Sequence, residues 1–115
     1  MIKLYKDINN EALQYFGVST PTALIIKCND VVVGMIDYEV YREYVKIFYI
    51  RIEDEYRRQG VARRVVENII NENRGKYLYG DSLPGAIEFW RSLGAKFDGY
   101  NILMDDYLTP FCIEC

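Results

Sequence analysis

Tyr49-Ile50-Arg51-Ile52-Glu53-Asp54-Glu55-Tyr56-Arg57-Arg58-Gln59-Gly60-Val61-Ala62 is the stretch on which the reading of this chain turns. It begins as an apolar strand, passes through a polar turn and ends where small residues open a helix. The first N–H groups of a helix have no intrahelical partner and sit at the positive end of its dipole, so together they can hold a phosphate or pyrophosphate. Gly60 and Ala62 keep bulk away from that close backbone approach, and Arg57, Arg58 and Arg63 add guanidinium donors whose fork matches phosphate oxygens. Two better known phosphate loops are excluded by spacing, since neither Gly-x-x-x-x-Gly-Lys-Ser/Thr nor Gly-x-Gly-x-x-Gly occurs. From the local pattern alone, other strand-turn-helix phosphate loops stay open, as does a plain solvated Arg-rich turn between a strand and a helix.

Working outward toward the C-terminus, Val61, Ala62, Val65, Val66, Ile69 and Ile70 recur at helical spacing, which predicts a helix of about four turns ending near Asn73-Arg74-Gly75. A short strand at Lys76 to Tyr79 follows. Pro84 at a helix N1 position then opens a second helix over Gly85 to Leu93, closed by Gly94. Short strands are expected at Lys96-Phe97, Gly99 to Met104 and Phe111 to Glu114. Toward the N-terminus, Ala23 to Cys28, Val31 to Tyr41 and Tyr44 to Ile52 are β-rich runs joined by turns at Asn29-Asp30 and Arg42-Glu43, the pattern of an antiparallel meander. Ahead of them the spacing gives one short amphipathic helix over Asn9 to Phe16, stopped by Gly17 and Ser19-Thr20-Pro21.

Composition sets the bounds around this pattern. At 115 residues, with 50% hydrophobic and 27% charged residues, residues 1–115 are expected to form a single domain with its own core. No apolar run reaches the ~18 to 20 residues of a membrane span, and Met1 to Asp7 lacks the apolar stretch of a secretory signal, so a soluble, cytoplasmic protein is expected. A net charge of -3 provides no field to attract nucleic acid. Cys28 lies in an apolar run and reads as core, whereas Cys112 and Cys115 have half the spacing of a zinc site. With no histidine in the chain and four ligands required, no metal is expected.

Two motifs carry a family resemblance. Arg57-Arg58-Gln59-Gly60-Val61-Ala62 resembles the Arg/Gln-x-x-Gly-x-Gly/Ala motif of the GNAT superfamily of N-acetyltransferases, and Ile50-x-Ile52-x-x-x-Tyr56 resembles that family's fourth strand and its approach to the loop. Farther on, Ala86-x-x-Phe89-Trp90-Arg91-Ser92-Leu93-Gly94-Ala95-Lys96-Phe97 is similar to the later helix and the turn into the sixth strand. The resemblance implies an α/β fold: a mixed, mostly antiparallel twisted sheet with helices on both faces; the segment before Thr22 departs from it, giving a shortened N-terminal lid where many members carry two helices. It also implies an acetyl-CoA-dependent N-acetyltransferase acting on a primary amine. The pantetheine arm would add to the fourth strand beside Ile50, Arg51 and Ile52, its thioester carbonyl near the Ile52 N–H, with the pyrophosphate on the backbone of Arg57, Arg58, Gln59, Gly60, Val61 and Ala62. Phe89 and Trp90 would pack against the cofactor arm or the core.

The chemistry needs an unprotonated amine, because an alkylammonium titrating near ~10 has no lone pair for attack. Glu53 follows the expected acetyl site and Glu39 lies on the neighbouring strand, so both are candidate bases, directly or through water, while a solvated strand-end carboxylate is the plainer reading of each. Trp90 stands where the resemblance leads one to expect a tyrosine that protonates the departing thiolate. An indole cannot supply that proton, which passes the role to water or to another tyrosine such as Tyr79 or Tyr100. Leu83 stands where many relatives have asparagine, and the short lid leaves the acceptor side open to a small amine, a peptide or protein amine, or a second subunit in a homodimer. Two further readings share these residues: a non-catalytic acyl-CoA-binding module, and an interaction domain with a vestigial loop.

Overall fold

The computed structural model describes residues 1–20, 22–97 and 108–115. The expected strand over 99–104, and with it Tyr100, lies outside the described residues. The elements are β1 (Ile2–Lys6), α1 (Glu11–Phe16), β2 (Ala23–Cys28), β3 (Val31–Val40), β4 (Tyr44–Ile52), α2 (Val61–Glu72), β5 (Tyr77–Ser82), α3 (Ile87–Ser92), β6 (Lys96–Phe97) and β7 (Thr109–Glu114). The described strands form one sheet in the order β1-β2-β3-β4-β5-β7-β6. The β4–β5 pair is parallel, whereas the β1–β2, β2–β3, β5–β7 and β6–β7 pairs are antiparallel, so the α/β architecture is mixed and mostly antiparallel, as expected. By contacts the chain separates into two compact units, Met1–Tyr38 with Phe48–Val65 and Glu39–Ile47 with Val66–Cys115.

In the first unit, β2 and β3 pair in register Ala23↔Asp37 to Cys28↔Val31, with a shift between Ile26 and Lys27. Asn29 (φ 50°) and Asp30 (φ 70°) both take left-handed backbone in the connection. Two successive positive φ values match the right-handed strand twist in a two-residue hairpin, and Asn and Asp accept them at low cost. Val33 to Asp37 are buried without interruption, so both faces of β3 are covered there. On one of those faces Ala12 and Phe16 of α1 pack against Ala23, Ile25 and Met35. Six residues are too few for an isolated helix, so this packing holds α1, together with its caps. The Asp7 carboxylate accepts from the Glu11 and Ala12 N–H groups at 2.6 and 3.1 Å, and Gly17 closes the other end at φ 68°.

Only a helix is expected ahead of β2 from the sequence; the structure adds β1, paired antiparallel from Ile2↔Cys28 to Lys6↔Leu24. Its alternation was present in Ile2-Lys3-Leu4-Tyr5-Lys6, with Ile2 and Leu4 half-buried and Lys3, Tyr5 and Lys6 exposed. Lysines on the outermost strand are a usual guard against edge-to-edge pairing.

In the second unit, β5 is the centre. It pairs with β7 along its whole length, Tyr77↔Glu114 to Ser82↔Thr109, and so runs three residues beyond the expected end at Tyr79. Leu78, Gly80 and Ser82 face inward while Tyr77, Tyr79 and Asp81 face out. The Phe111 ring lies over Gly80, where a Cβ would come within 2.6 Å of it, and stacks on Trp90 at 4.3 Å between centroids. The second predicted helix splits into a single 3-10 turn, Pro84–Ala86, and α3, with Pro84 at the start and Gly94 at φ 93° beyond the end.

Candidate active site

The first unit contains the stretch that leads from β4 into α2. A strand exposes its carbonyl and N–H groups alternately to the two sides, so the side served by each residue can be followed by counting. At the hairpin the Tyr41 N–H donates to the Tyr44 carbonyl at 2.8 Å, and farther along the Glu53 N–H donates to the Val33 carbonyl at 2.8 Å. Eight residue steps on β3 (33 to 41) are thus matched by nine on β4 (44 to 53). One extra residue sits in β4, a bulge. Burial locates it independently: Val45 and Ile47 are buried, Phe48 and Tyr49 are exposed in succession, and Ile52 is buried again. Beyond the bulge, Glu53 serves β3, so the N–H and carbonyl of Ile52 and Ile50 are aimed away from it. The spacing Val45-x-Ile47-x-x-Ile50-x-Ile52 carries this change of phase, and it could have been read from the sequence.

The carbonyl of Ile52, on that outward side, is taken by the turn. Arg57 Nε donates to it at 3.1 Å, while Arg57 Nη1 lies 3.1 Å from Asp54 Oδ1. The loop's first arginine therefore braces the turn from inside. A 3-10 turn, Asp54–Tyr56, follows Glu53, and Gln59 Nε2 donates back to the Glu55 carbonyl at 3.2 Å. Arg58 (φ 66°) and Gly60 (φ 76°) both adopt left-handed backbone. For a long side chain such as Arg58 this conformation costs roughly 1 to 2 kcal/mol, and strain of that kind persists where surrounding structure fixes it, often at functional sites. Around Gly60 there is open space, with no atom within 4 Å of where a Cβ would project. The Arg64 N–H closes on the Gly60 carbonyl at 3.0 Å, so the amides of Val61 and Ala62 precede the first bond of the helix and stand at its positive end. The result is a left-handed turn that leaves the first backbone amides of α2 without an intrahelical partner.

Three registered pairs link β4 to β5 in the second unit: Tyr44↔Tyr77, Val45↔Leu78 and Lys46↔Tyr79. The registered pairs end at Lys46↔Tyr79. There Lys46 Nζ lies 3.7 Å from Asp81 Oδ2. Around this pair stands an aromatic cluster that sequence spacing could not assemble: Tyr41 stacks on Tyr44 at 4.6 Å, Tyr44 meets Tyr79 edge-on at 5.7 Å, and Tyr77 lies 6.3 Å from Tyr79. Tyr79 stands opposite Cys112 in the β5–β7 register. Partial burial, with the Cys112 side chain next to it, raises the Tyr79 phenol above its ordinary value, and burial likewise raises the thiols of Cys112 and Cys115.

The two candidate carboxylates have separate settings. Glu39 accepts from the Tyr41 hydroxyl at 2.5 Å, a bond that holds the Tyr41 phenol protonated above its usual range. Glu53 stands at the start of the 3-10 turn with its N–H in the β3 ladder and no capping bond from its side chain. Arg51 lies over the Phe16 ring at 5.8 Å. Phe89 meets Trp90 edge-on at 4.9 Å, and Trp90, 4% exposed, is accounted for by its place against Phe111 in the core. Among the described residues no three His, Cys, Asp or Glu side chains converge on a point that could hold a metal, and no helix is long and apolar enough to cross a membrane.

A mixed, mostly antiparallel sheet with a bulged strand that leads through a glycine-opened turn into a helix defines an α/β protein. A sequence model of the acetyltransferase (GNAT) family matches residues 3–95, and the chain belongs to that family. Solved structures share the fold at low identity. Arabidopsis thaliana Naa50, in complex with the bisubstrate analogue CoA-Ac-MVNAL, is 14% identical, with 99% of each chain covered and a TM-score of 0.71. A GNAT family acetyltransferase from Elizabethkingia anophelis with acetyl-CoA bound is 11% identical, covering 100% of this chain and 97% of the other at a TM-score of 0.71. The ribosomal-protein-S18-alanine N-acetyltransferase of Escherichia coli is 14% identical, covering 98% and 93%, also at 0.71. No curated protein sequence matched the chain.

Proposed function

We propose that this protein transfers the acetyl group of acetyl-CoA to a primary amine. The observation that carries the proposal is the turn itself: left-handed Gly60 with open space around it, followed by the Val61 and Ala62 amides at the start of α2. This backbone suits a pyrophosphate, with Arg58, Gln59 and Arg63 as side-chain neighbours and Arg57 as the brace. The pantetheine arm lies along the outward side of β4, hydrogen-bonded to Ile50 and Ile52 as an added strand would be, beside Arg51. An extended arm of that kind reaches roughly as far as five strand residues. Because Arg57 ties the loop onto Ile52, the thioester then ends level with the bulge at Phe48–Tyr49, and an outward N–H in the stretch from Phe48 to Ile50 stabilises the oxyanion, earlier on the strand than the Ile52 N–H first considered.

Attack by a neutral amine forms the new C–N bond and releases coenzyme A as its thiolate. The amine's proton leaves through a carboxylate or water, with Glu53 and Glu39 as the assigned candidates and Glu53 the one free of a capping role. Phe89 and Trp90 pack together in the second unit, with Trp90 stacked on Phe111. The acceptor is a small-molecule or peptide amine. The test is a steady-state assay of coenzyme A release against a panel of small amines and peptide N-termini: acceptor-dependent release is expected, with Glu53→Gln lowering kcat. The absence of histidine favours a second reading, acyl-CoA binding without turnover. Saturable acetyl-CoA binding with no release above the uncatalysed rate across the panel would select it.

A further inference from the structure

Asp37, on β3 in the first unit, is a carboxylate only 8% exposed whose partners are neutral. The Thr20 hydroxyl donates to one of its oxygens at 3.1 Å and the Thr22 hydroxyl to the other at 2.5 Å. A carboxylate offers about four acceptor positions, so roughly two stay open, and a charge taken out of water is best compensated by a cation. Among the described residues no ammonium or guanidinium pairs with Asp37. Its place in the sheet follows from its neighbours. Phe16 packs against Met35 and lies under Arg51, which puts Met35 and Arg51 on the α1 face, and the count back from the Val33–Glu53 bond sets the same two residues across from each other. Two residues farther along, that face carries Asp37 on β3 and Tyr49 across from it on β4. Asp37 therefore stands beside the bulge at Phe48–Tyr49, level with the end of the acetyl-CoA arm proposed above. Strands lie ~4.8 Å apart, so β3 and an arm added to the far side of β4 are separated by roughly 10 Å.

We propose that Asp37 receives a second cationic group of the acceptor, so that the preferred substrate is a diamine; the inference rests on the functional reading given above. An ion pair takes up about 3 Å at one end and the attack on the thioester a similar distance at the other, which leaves the two nitrogens roughly 6 to 9 Å apart. A chain of about four to six carbons spans that gap, and the exposed rings of Phe48 and Tyr49 give it an apolar surface to lie on. One nitrogen stays an ammonium on Asp37 while the other, as the free amine, attacks as described above. Asp37 takes no part in the transfer itself; it selects the acceptor. A monoamine of equal length brings a methyl group to the carboxylate and leaves its open acceptor positions unpaired.

The probes are 1,5-diaminopentane and n-hexylamine, which have the same number of heavy atoms and differ by one charge. Each is titrated into the full chain saturated with coenzyme A, which has no acetyl group to transfer, and its Kd is read from amide shifts by NMR. The diamine is expected to bind more tightly than n-hexylamine by about tenfold or more. Asp37→Asn keeps the size of the side chain and should remove that preference by weakening the diamine alone, with coenzyme A affinity unchanged. Equal binding of the two probes by the wild type, or binding of neither, overturns the proposal, and both results are read without the variant. A preference that survives in folded Asp37→Asn overturns it as well. So does a variant that weakens both probes alike, since Asp37 would then only clamp its two threonines. The functional reading is separated by replacing coenzyme A with acetyl-CoA: diamine binding that depends on Asp37, with no release of coenzyme A, removes the transfer and leaves the cation site. Absence of coenzyme A binding by folded protein overturns both.

Discussion

The two ends of β4 are built by different means. At the Ile52 end the candidate site is backbone: a bulge, two left-handed residues, and helix amides presented after Gly60. Side chains there mostly brace, as Arg57 does on Ile52 and Asp54. At the Tyr44 end the surface is made of side chains from separate strands, with Tyr41, Tyr44, Tyr77 and Tyr79 in contact and Lys46 paired with Asp81. A backbone-built site is sensitive to φ and to a single added carbon, whereas a side-chain-built one is sensitive to truncation and charge.

The largest expected effect falls on the second kind of construction. Trp90→Ala removes a ring 4% exposed and stacked on Phe111, and should destabilise the protein by about 3 to 5 kcal/mol in denaturant melts. A loss under about 1 kcal/mol would mean that the ring is not a core member.

Two glycines then set the ends against each other. At Gly34 a Cβ would lie 2.4 Å from the Arg51 carbonyl, which is backbone, so Gly34→Ala should cost about 3 kcal/mol. At Gly80 the obstacle is the Phe111 ring at 2.6 Å, which can tilt, and about 1 kcal/mol is expected. Equal losses would erase the contrast. Gly60→Ala meets nothing within 4 Å but is strained at φ 76°, so acetyl-CoA should bind about tenfold more weakly and the melting temperature should fall by several degrees.

The smallest effect concerns pH. Tyr41, Tyr79, Cys112 and Cys115 all titrate higher in the folded chain than their ordinary values: the Glu39 hydrogen bond is the first cause for Tyr41, and burial for the other three. Groups raised in the folded state contribute stability that is fully present below the unfolded values, roughly 8.5 for a thiol and 10 for a phenol, and lost as pH rises through the folded ones. Stability measured between pH 8 and 11 should therefore decline. The decline should shrink in Cys112→Ala, and a flat profile would contradict the assignment.

What could be read from the sequence follows the same division. The turn was legible because a glycine at fixed spacing from a strand end and an apolar helical stripe are local patterns, and local geometry shapes the turn itself. The meander, α2 and the Pro84 helix start were legible for the same reason. β1 escaped because its five residues include two lysines, and the extra residues of β5, Gly80 to Ser82, escaped because glycine, aspartate and serine are poor strand formers that only pairing with β7 draws into the sheet. Lys46 and Asp81 are 35 positions apart, and no local rule joins them; their approach depends on the parallel register Lys46↔Tyr79. Trp90, expected from the sequence against the cofactor arm or the core, stacks on Phe111, a partner 21 positions away that no local pattern names.

Calorimetric titration of acetyl-CoA into the purified chain, with Gly60→Asp alongside, tests the central claim most directly. The proposed backbone site predicts saturable binding to the wild type, weakened about 100-fold or more in the variant, where strain and a carboxylate facing the phosphates act together while the fold stays intact by circular dichroism. A folded wild type that takes up no acetyl-CoA, or a variant that binds as well as the wild type, would contradict it.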